Sequence, residues 1–238
     1  MSDCDIEQIQ EGMSPNCPKL STLIINKVSI SHVPESFFKY MNSLSILDLS
    51  DNDELVSLPN SVTGLRSLVS LVLKRCPSLK HVPPLGELQA LSTLVISVTS
   101  IEQVPLGLEK LTNLKWLDLS KTLSLNFELR SFSSNFIKLQ YLNLRDTHAV
   151  NTVENIQGTN MLECFGGAFD YKCFNQSMQK NLDMSFERIK TYNLKLGNVC
   201  SASLGDWWHN VNLKRFGAGD HETNEVDKIV TRKGGFEL

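Results

Sequence analysis

Apolar residues recur along this chain in one repeated spacing. The unit L-x-x-L-x-L stands at Leu20/Leu23/Ile25, Leu44/Leu47/Leu49, Leu68/Leu71/Leu73, Leu91/Leu94/Ile96, Leu114/Leu117/Leu119 and Leu139/Leu142/Leu144. Its first members lie 24, 24, 23, 23 and 25 residues apart. Alternation within the unit predicts a short strand whose leucines point inward and whose intervening residues point outward. One such coil cannot bury its own leucines. Stacked coils can, because each lends its leucine column to the next.

The positions around each strand sharpen this picture. Three residues after the last apolar member come Val28, Asn52, Cys76, Thr99, Thr122 and Thr147. A small or polar side chain in that slot can satisfy backbone groups laid bare where the chain leaves the strand. Further on come Val33-Pro34, Leu58-Pro59, Val82-Pro83 and Val104-Pro105. Proline fixes φ and lacks an N–H, so each return segment is expected to be extended or a single turn, not a long helix. Val62/Leu65, Leu85/Leu88 and Leu108/Leu111 should close these returns inward. The period falls within the roughly 20–29 residues of leucine-rich repeats. The expected fold is an α/β leucine-rich-repeat solenoid with a parallel sheet on its concave face and short helical or extended convex segments.

Both ends depart from the period. Ile6-Glu7-Gln8-Ile9, with Gly12 after them, match Ile101-Glu102-Gln103-Val104 and Gly107, so residues 1–19 read as a partial repeat. Residues 20–161 carry the six regular repeats. Residues 162–200 read as degenerate repeats, with strands around Leu162/Phe165 and Ile189/Tyr192/Leu194/Leu196 and an inserted loop over residues 164–180. Residues 201–238 are expected to form an irregular tail, in which Trp207-Trp208 could cap the last coil and the polar stretch 217–238 stays weakly ordered. The chain opens in mid-coil without a readable polar cap, which suggests a fragment or truncated relative of a longer receptor.

Composition removes several classes of function. A net charge of −3 without a basic run argues against a nucleic-acid partner. No apolar stretch approaches the roughly 20 residues of a spanning helix, and the acidic start does not read as a secretory signal, so a cytoplasmic chain without membrane insertion is expected. The six cysteines form no C-x-x-C pair and have no histidine at ligand spacing, so neither a metal site nor a cofactor is expected. No G-x-S-x-G, H-E-x-x-H or glycine-rich dinucleotide motif occurs. Asp48 and Asp118 face out of strands three coils apart, roughly 14 Å at sheet spacing, too far for a catalytic carboxylate pair. The chain is therefore read as a non-enzyme.

Binding is then expected on the outward strand columns. The column before the second leucine runs Thr22, Ile46, Ser70, Thr93, Trp116, Tyr141; the next runs Ile24, Asp48, Val72, Val95, Asp118, Asn143. Trp116 and Tyr141, rimmed by Asp118, Lys121, Asn143, Arg145 and Asp146, have the composition of a protein-binding hot spot. The competing reading is that the two rings simply pack on each other. A last column, Lys27, Asp51, Arg75, Val98, Lys121 and Asp146, nearly alternates in sign and reads as a ladder of exposed ion pairs.

The segments NCPKLSTLIINKVSISHVPESFFKYMNSLSILDLSDN, LPNSVTGLRSLVSLVLKRCPSLKHVPPLGELQAL and IEQVPLGLEKLTNLKWLDLS resemble the repeat region of plant coiled-coil, nucleotide-binding, leucine-rich-repeat disease-resistance proteins. The likeness covers roughly residues 5 to 200. It implies a protein partner, either a pathogen effector or a guarded host protein, and regulation of a nucleotide-binding domain. The G-x-x-x-x-G-K-[ST] phosphate loop of that domain does not occur in this chain, so nucleotide binding cannot be carried over. The alternative is a generic cytosolic repeat scaffold. Such scaffolds keep Asn in the bend slot and a steady period, whereas here only Asn52 keeps it and the period drifts.

Overall fold

A computed structural model describes residues 9–28, 30–126, 135–147, 150–151, 159, 161–170, 191–197 and 209–211. Within these residues each L-x-x-L-x-L unit forms one three-residue strand: β1 (Thr22–Ile24), β2 (Ile46–Asp48), β3 (Ser70–Val72), β4 (Thr93–Val95), β5 (Trp116–Asp118) and β6 (Tyr141–Asn143). They pair in parallel and in chain order, one strand per coil. The register aligns Leu23, Leu47, Leu71, Leu94, Leu117 and Leu142 in a single column, as the spacing predicts.

Hydrogen bonding continues past the strands into the bends. Each last inward apolar residue donates its N–H to the next coil, as in Leu49 to Val72 O (2.9 Å) and Ile96 to Asp118 O (2.8 Å). Two residues later the bend does the same, with Asp51 donating to Lys74 O and Val98 to Ser120 O. Neighbouring coils are thus stitched well beyond three residues. The leucine columns close behind this ladder: Leu44, Leu47, Leu49, Leu68, Leu71, Leu73, Leu91 and Leu94 are fully buried. Each contributes about 1.5–3 kcal/mol relative to an exposed side chain.

The bend slot behaves as its residue types predict. Asn52 Nδ2 donates to Ile25 O and Leu49 O at 2.7 and 2.8 Å, while its Oδ1 accepts the Val28 N–H at 3.1 Å. The thiol of Cys76 donates to Leu49 O, and Thr122 Oγ1 to Ile96 O. At Asn52, Cys76 and Thr122 the slot side chain therefore ties a coil to its predecessor, whereas Thr147 Oγ1 donates within its own coil, to Leu144 O at 2.8 Å.

Pro34, Pro59, Pro83 and Pro105 are buried on the return path. After three of them the chain turns through three-residue hydrogen bonds, Phe37 N to Pro34 O, Val62 N to Pro59 O and Leu108 N to Pro105 O. The turns extend into 3₁₀ helices only at Asn60–Gly64 and Leu108–Lys110 among the described residues. Val62, Leu65, Leu85, Leu88, Leu108 and Leu111 are all buried, which closes the returns as expected.

The bend residue before the slot carries a feature hidden in the sequence. Lys27, Asp51, Arg75, Val98, Lys121 and Asp146 all have φ between 55° and 60°. The column read as a charge ladder is first of all a column of left-handed backbone. Within it, Arg75 Nε donates to the Asp51 carboxylate.

At the ends the pattern loosens. Leu20, Leu23, Ile25 and Val28 of the first coil are only partly buried, since β1 pairs on one side alone among the described residues. Gly12 shares the left-handed φ of Gly107, 77° against 82°. At the other end, a seven-residue strand, β8 (Cys164–Asp170), pairs with β6 and with β7 (Val150–Asn151). The expected loop over residues 164–180 is corrected accordingly: its first seven residues form strand, because Phe165 and Gly166 extend the Leu142 and Asn143 columns. Strand β9 (Thr191–Gly197) contains Tyr192, Leu194 and Leu196 and continues the parallel order, and β10 (His209–Val211) adds antiparallel to it. The expectations for Ile6-Glu7-Gln8, residues 171–180, Trp207-Trp208 and residues 217–238 fall outside the described residues.

Candidate binding face on coils five and six

Parallel pairing of β5 with β6 sets Trp116 directly beside Tyr141 and Asp118 beside Asn143. The two rings stack, with centroids 3.6 Å apart and planes inclined by 6°. Their separation is below strand spacing, so the rings lean together. The packing of one ring on the other is thus present, yet Trp116 remains 43% exposed. A fixed, half-open indole results.

The surroundings hold the stack in place. Asn143, only 4% exposed, donates from Nδ2 to the Tyr141 hydroxyl at 3.2 Å and accepts at Oδ1 from Arg145 Nε at 3.2 Å. Burial pushes the Tyr141 phenol above its ordinary value, and the nearby Asp118 charge adds to this, while the hydrogen bond from Asn143 and the Arg145 charge act the other way. Gly166 makes room for this arrangement, since a Cβ there would lie 2.7 Å from Asn143 Oδ1 and 3.1 Å from Arg145 Cγ. Nothing in the sequence spacing singles out Gly166. Its contribution is only visible once β8 stands beside β6.

Asp118 caps its own strand end, accepting the Ser120 N–H at 2.9 Å, just as Asp48 accepts that of Ser50. Lys121 is exposed, and Arg145 and Asp146 are partly exposed, with Lys121 and Asp146 in the left-handed bend column. The expected site residues are therefore brought together, but with different parts. Trp116, Asp118 and Lys121 reach the surface, whereas Asn143 supports Tyr141 and Arg145 from below.

Sequence reasoning passed over a second exposed apolar pair. Ile24 and Ile46, on adjacent strands of the first two coils, are 61% and 40% exposed. Among the described residues no cluster of histidine, cysteine, aspartate or glutamate could hold a metal, Cys17, Cys76 and Cys164 are free thiols, and no helix is long and apolar enough to cross a membrane.

Comparison with known proteins agrees with the repeat. A family model described as leucine rich repeat matches residues 18–77. Disease resistance protein UNI of Arabidopsis thaliana is 34% identical over 122 residues, covering 51% of this chain and 11% of that protein. Disease resistance protein At4g27190 of Arabidopsis thaliana is 32% identical over 145 residues, covering 60% of this chain and 15% of that protein. The chain thus spans a small part of the length of these relatives. The crystal structure of PEPR1-AtPEP1 superposes with a TM-score of 0.56 at 21% identity over 78% of this chain and 27% of that one, which supports the fold. The chain folds as a leucine-rich-repeat solenoid and is similar in sequence to disease resistance proteins of Arabidopsis thaliana.

Proposed function

We propose that this domain recognises a protein, either a pathogen effector or a host protein guarded against one, on the concave face of coils five and six. Trp116 and Tyr141 are its anchors, and the outcome of recognition is passed to a nucleotide-binding domain outside these 238 residues. The observation that carries the reading is the stacked, half-open ring pair on the sheet face. A rigid aromatic platform loses little side-chain freedom on docking and desolvates a large apolar area, which is the composition of interface hot spots. Charged neighbours Asp118, Lys121, Arg145 and Asp146 would orient the partner and tune its association rate. The similarity to disease resistance proteins supports the immune role, and the proposal places the domain in the cytoplasm.

The test is a panel of candidate effectors and host proteins assayed by biolayer interferometry against the chain and its Trp116→Ala variant. The reading expects binding to at least one protein, with clear loss in the variant. Binding that ignores the substitution contradicts the choice of face.

A further inference from the structure

The indole of Trp116 has two faces with different fates. One is covered by Tyr141 at 3.6 Å. The other looks toward β4, where the register places Thr93 beside Trp116 and Val95 beside Asp118. Both are small, neutral and partly exposed, so they leave a step on the sheet in front of the ring. Among the described residues the cation over an aromatic ring is Lys39, on Tyr40, and none lies over Trp116. The closest guanidinium along the sheet, that of Arg145, is held on the Tyr141 side by Asn143.

Asp118 stands two residues along the same strand and therefore on the same face as Trp116. One of its oxygens is engaged by the Ser120 N–H, and the carboxylate makes no ion pair among the described residues. The step is thus bounded by an electron-rich ring face and by an anion, with the small neutral side chains of Thr93 and Val95 as its floor. Arginine suits this combination, because its planar guanidinium stacks on a ring while its edge donates to a carboxylate.

We propose that the step between Trp116 and β4 seats an arginine side chain of the docking partner, with the guanidinium on the open indole face and an N–H edge directed to Asp118. The proposal rests on the docking face assigned above and adds the chemistry that the face selects.

The test uses the full chain, ¹⁵N-labelled at its tryptophans, titrated with N-acetyl-arginine amide and with the uncharged isostere N-acetyl-citrulline amide. The Trp116 indole signal is assigned by its disappearance in Trp116→Leu. Arginine amide should shift this signal saturably in the millimolar range, as a weak exposed cation–π contact requires. Citrulline amide should leave it in place, and Asp118→Asn should weaken arginine amide at least about threefold. Equal shifts by both probes, no shift by arginine amide, or unchanged affinity in Asp118→Asn each overturns the proposal. If arginine amide fails while a partner still loses affinity on Trp116→Ala, the arginine seat falls and the docking face stands. If arginine amide binds while partner affinity ignores Trp116→Ala, the docking face falls.

Discussion

Gly107 and Gly86 touch backbone to backbone across two coils: a Cβ on Gly107 would lie 2.6 Å from both the Cα and the N of Gly86. Gly107 also has a φ of 82°, in the left-handed region. Space and conformation therefore both exclude a side chain. Gly107→Ala should cost about 1–3 kcal/mol through backbone strain, with displacement of the coil adding to it. Gly64→Ala, where no atom lies within 4 Å of the added carbon, should be close to neutral. Urea titration of the two variants checks the contrast, and equal midpoints would show that the convex returns do not pack as described.

Leu94 sits in the middle of the leucine column, flanked by Leu71 and Leu117 and fully buried. Leu94→Ala should destabilise by about 2–5 kcal/mol, the transfer loss plus an unrelaxed cavity. Lys121→Ala, at an exposed bend position, should change stability little. Guanidinium titrations of both variants test the register, which would be wrong if the two midpoints coincide.

Much of the architecture was legible before any coordinates, because the leucine spacing leaves only one way to bury the column. The strands β1 to β6, their parallel order and their partners follow from it residue for residue. Asn52 and Thr122 were readable as well, since a polar group in a bend has few uses besides bonding backbone. Other features were hidden for physical reasons. The left-handed column was masked because Lys27, Asp51, Arg75, Val98, Lys121 and Asp146 share a backbone conformation and no side-chain chemistry. Phe165 marks the start of strand β8 in the sequence, but its continuation through Gly166, Gly167 and Ala168 to Asp170 carries no leucine period, because those residues are held by pairing with β9. In the candidate site, adjacency of Trp116 and Tyr141 followed from the register. The lean of one ring on the other, and the support of Asn143 from beneath, depend on χ angles and on Gly166, which no spacing encodes.

Val98 is the one β-branched residue in that left-handed column, with φ at 58°. Branching at Cβ makes the region costly, whereas asparagine tolerates it. Val98→Asn should therefore raise stability by about 1 kcal/mol, while Val98→Thr should leave it unchanged. Thermal unfolding compared across the two variants measures the difference, and destabilisation by asparagine would mean that Val98 matters for packing and not for its backbone.

Asp51 is held below its ordinary carboxyl value of 3.8, chiefly by the hydrogen bond from Arg75, with the Arg75, Lys27 and Lys74 charges acting in the same direction against desolvation. A depressed folded value stabilises the folded chain above the unfolded value and loses that contribution as pH falls through the folded one. The loss therefore belongs below pH 3.8. NMR titration of Asp51 should return toward 3.8 in Arg75→Gln and also on adding salt, which screens an exposed pair. An Asp51 titration that ignores Arg75→Gln would show that the pair does not persist in solution.

The docking face itself is tested most directly by the double variant Trp116→Ala/Tyr141→Ala, compared with Thr22→Ala at the far end of the same column. Both variants are first checked for an unchanged fold by circular dichroism, and affinity for an identified protein partner is then measured by calorimetry. Loss of the platform should cost at least about 1–2 kcal/mol of binding, with Thr22→Ala nearly silent. A folded double variant that binds its partner with unchanged affinity would contradict the assignment of the concave face of coils five and six as the recognition surface.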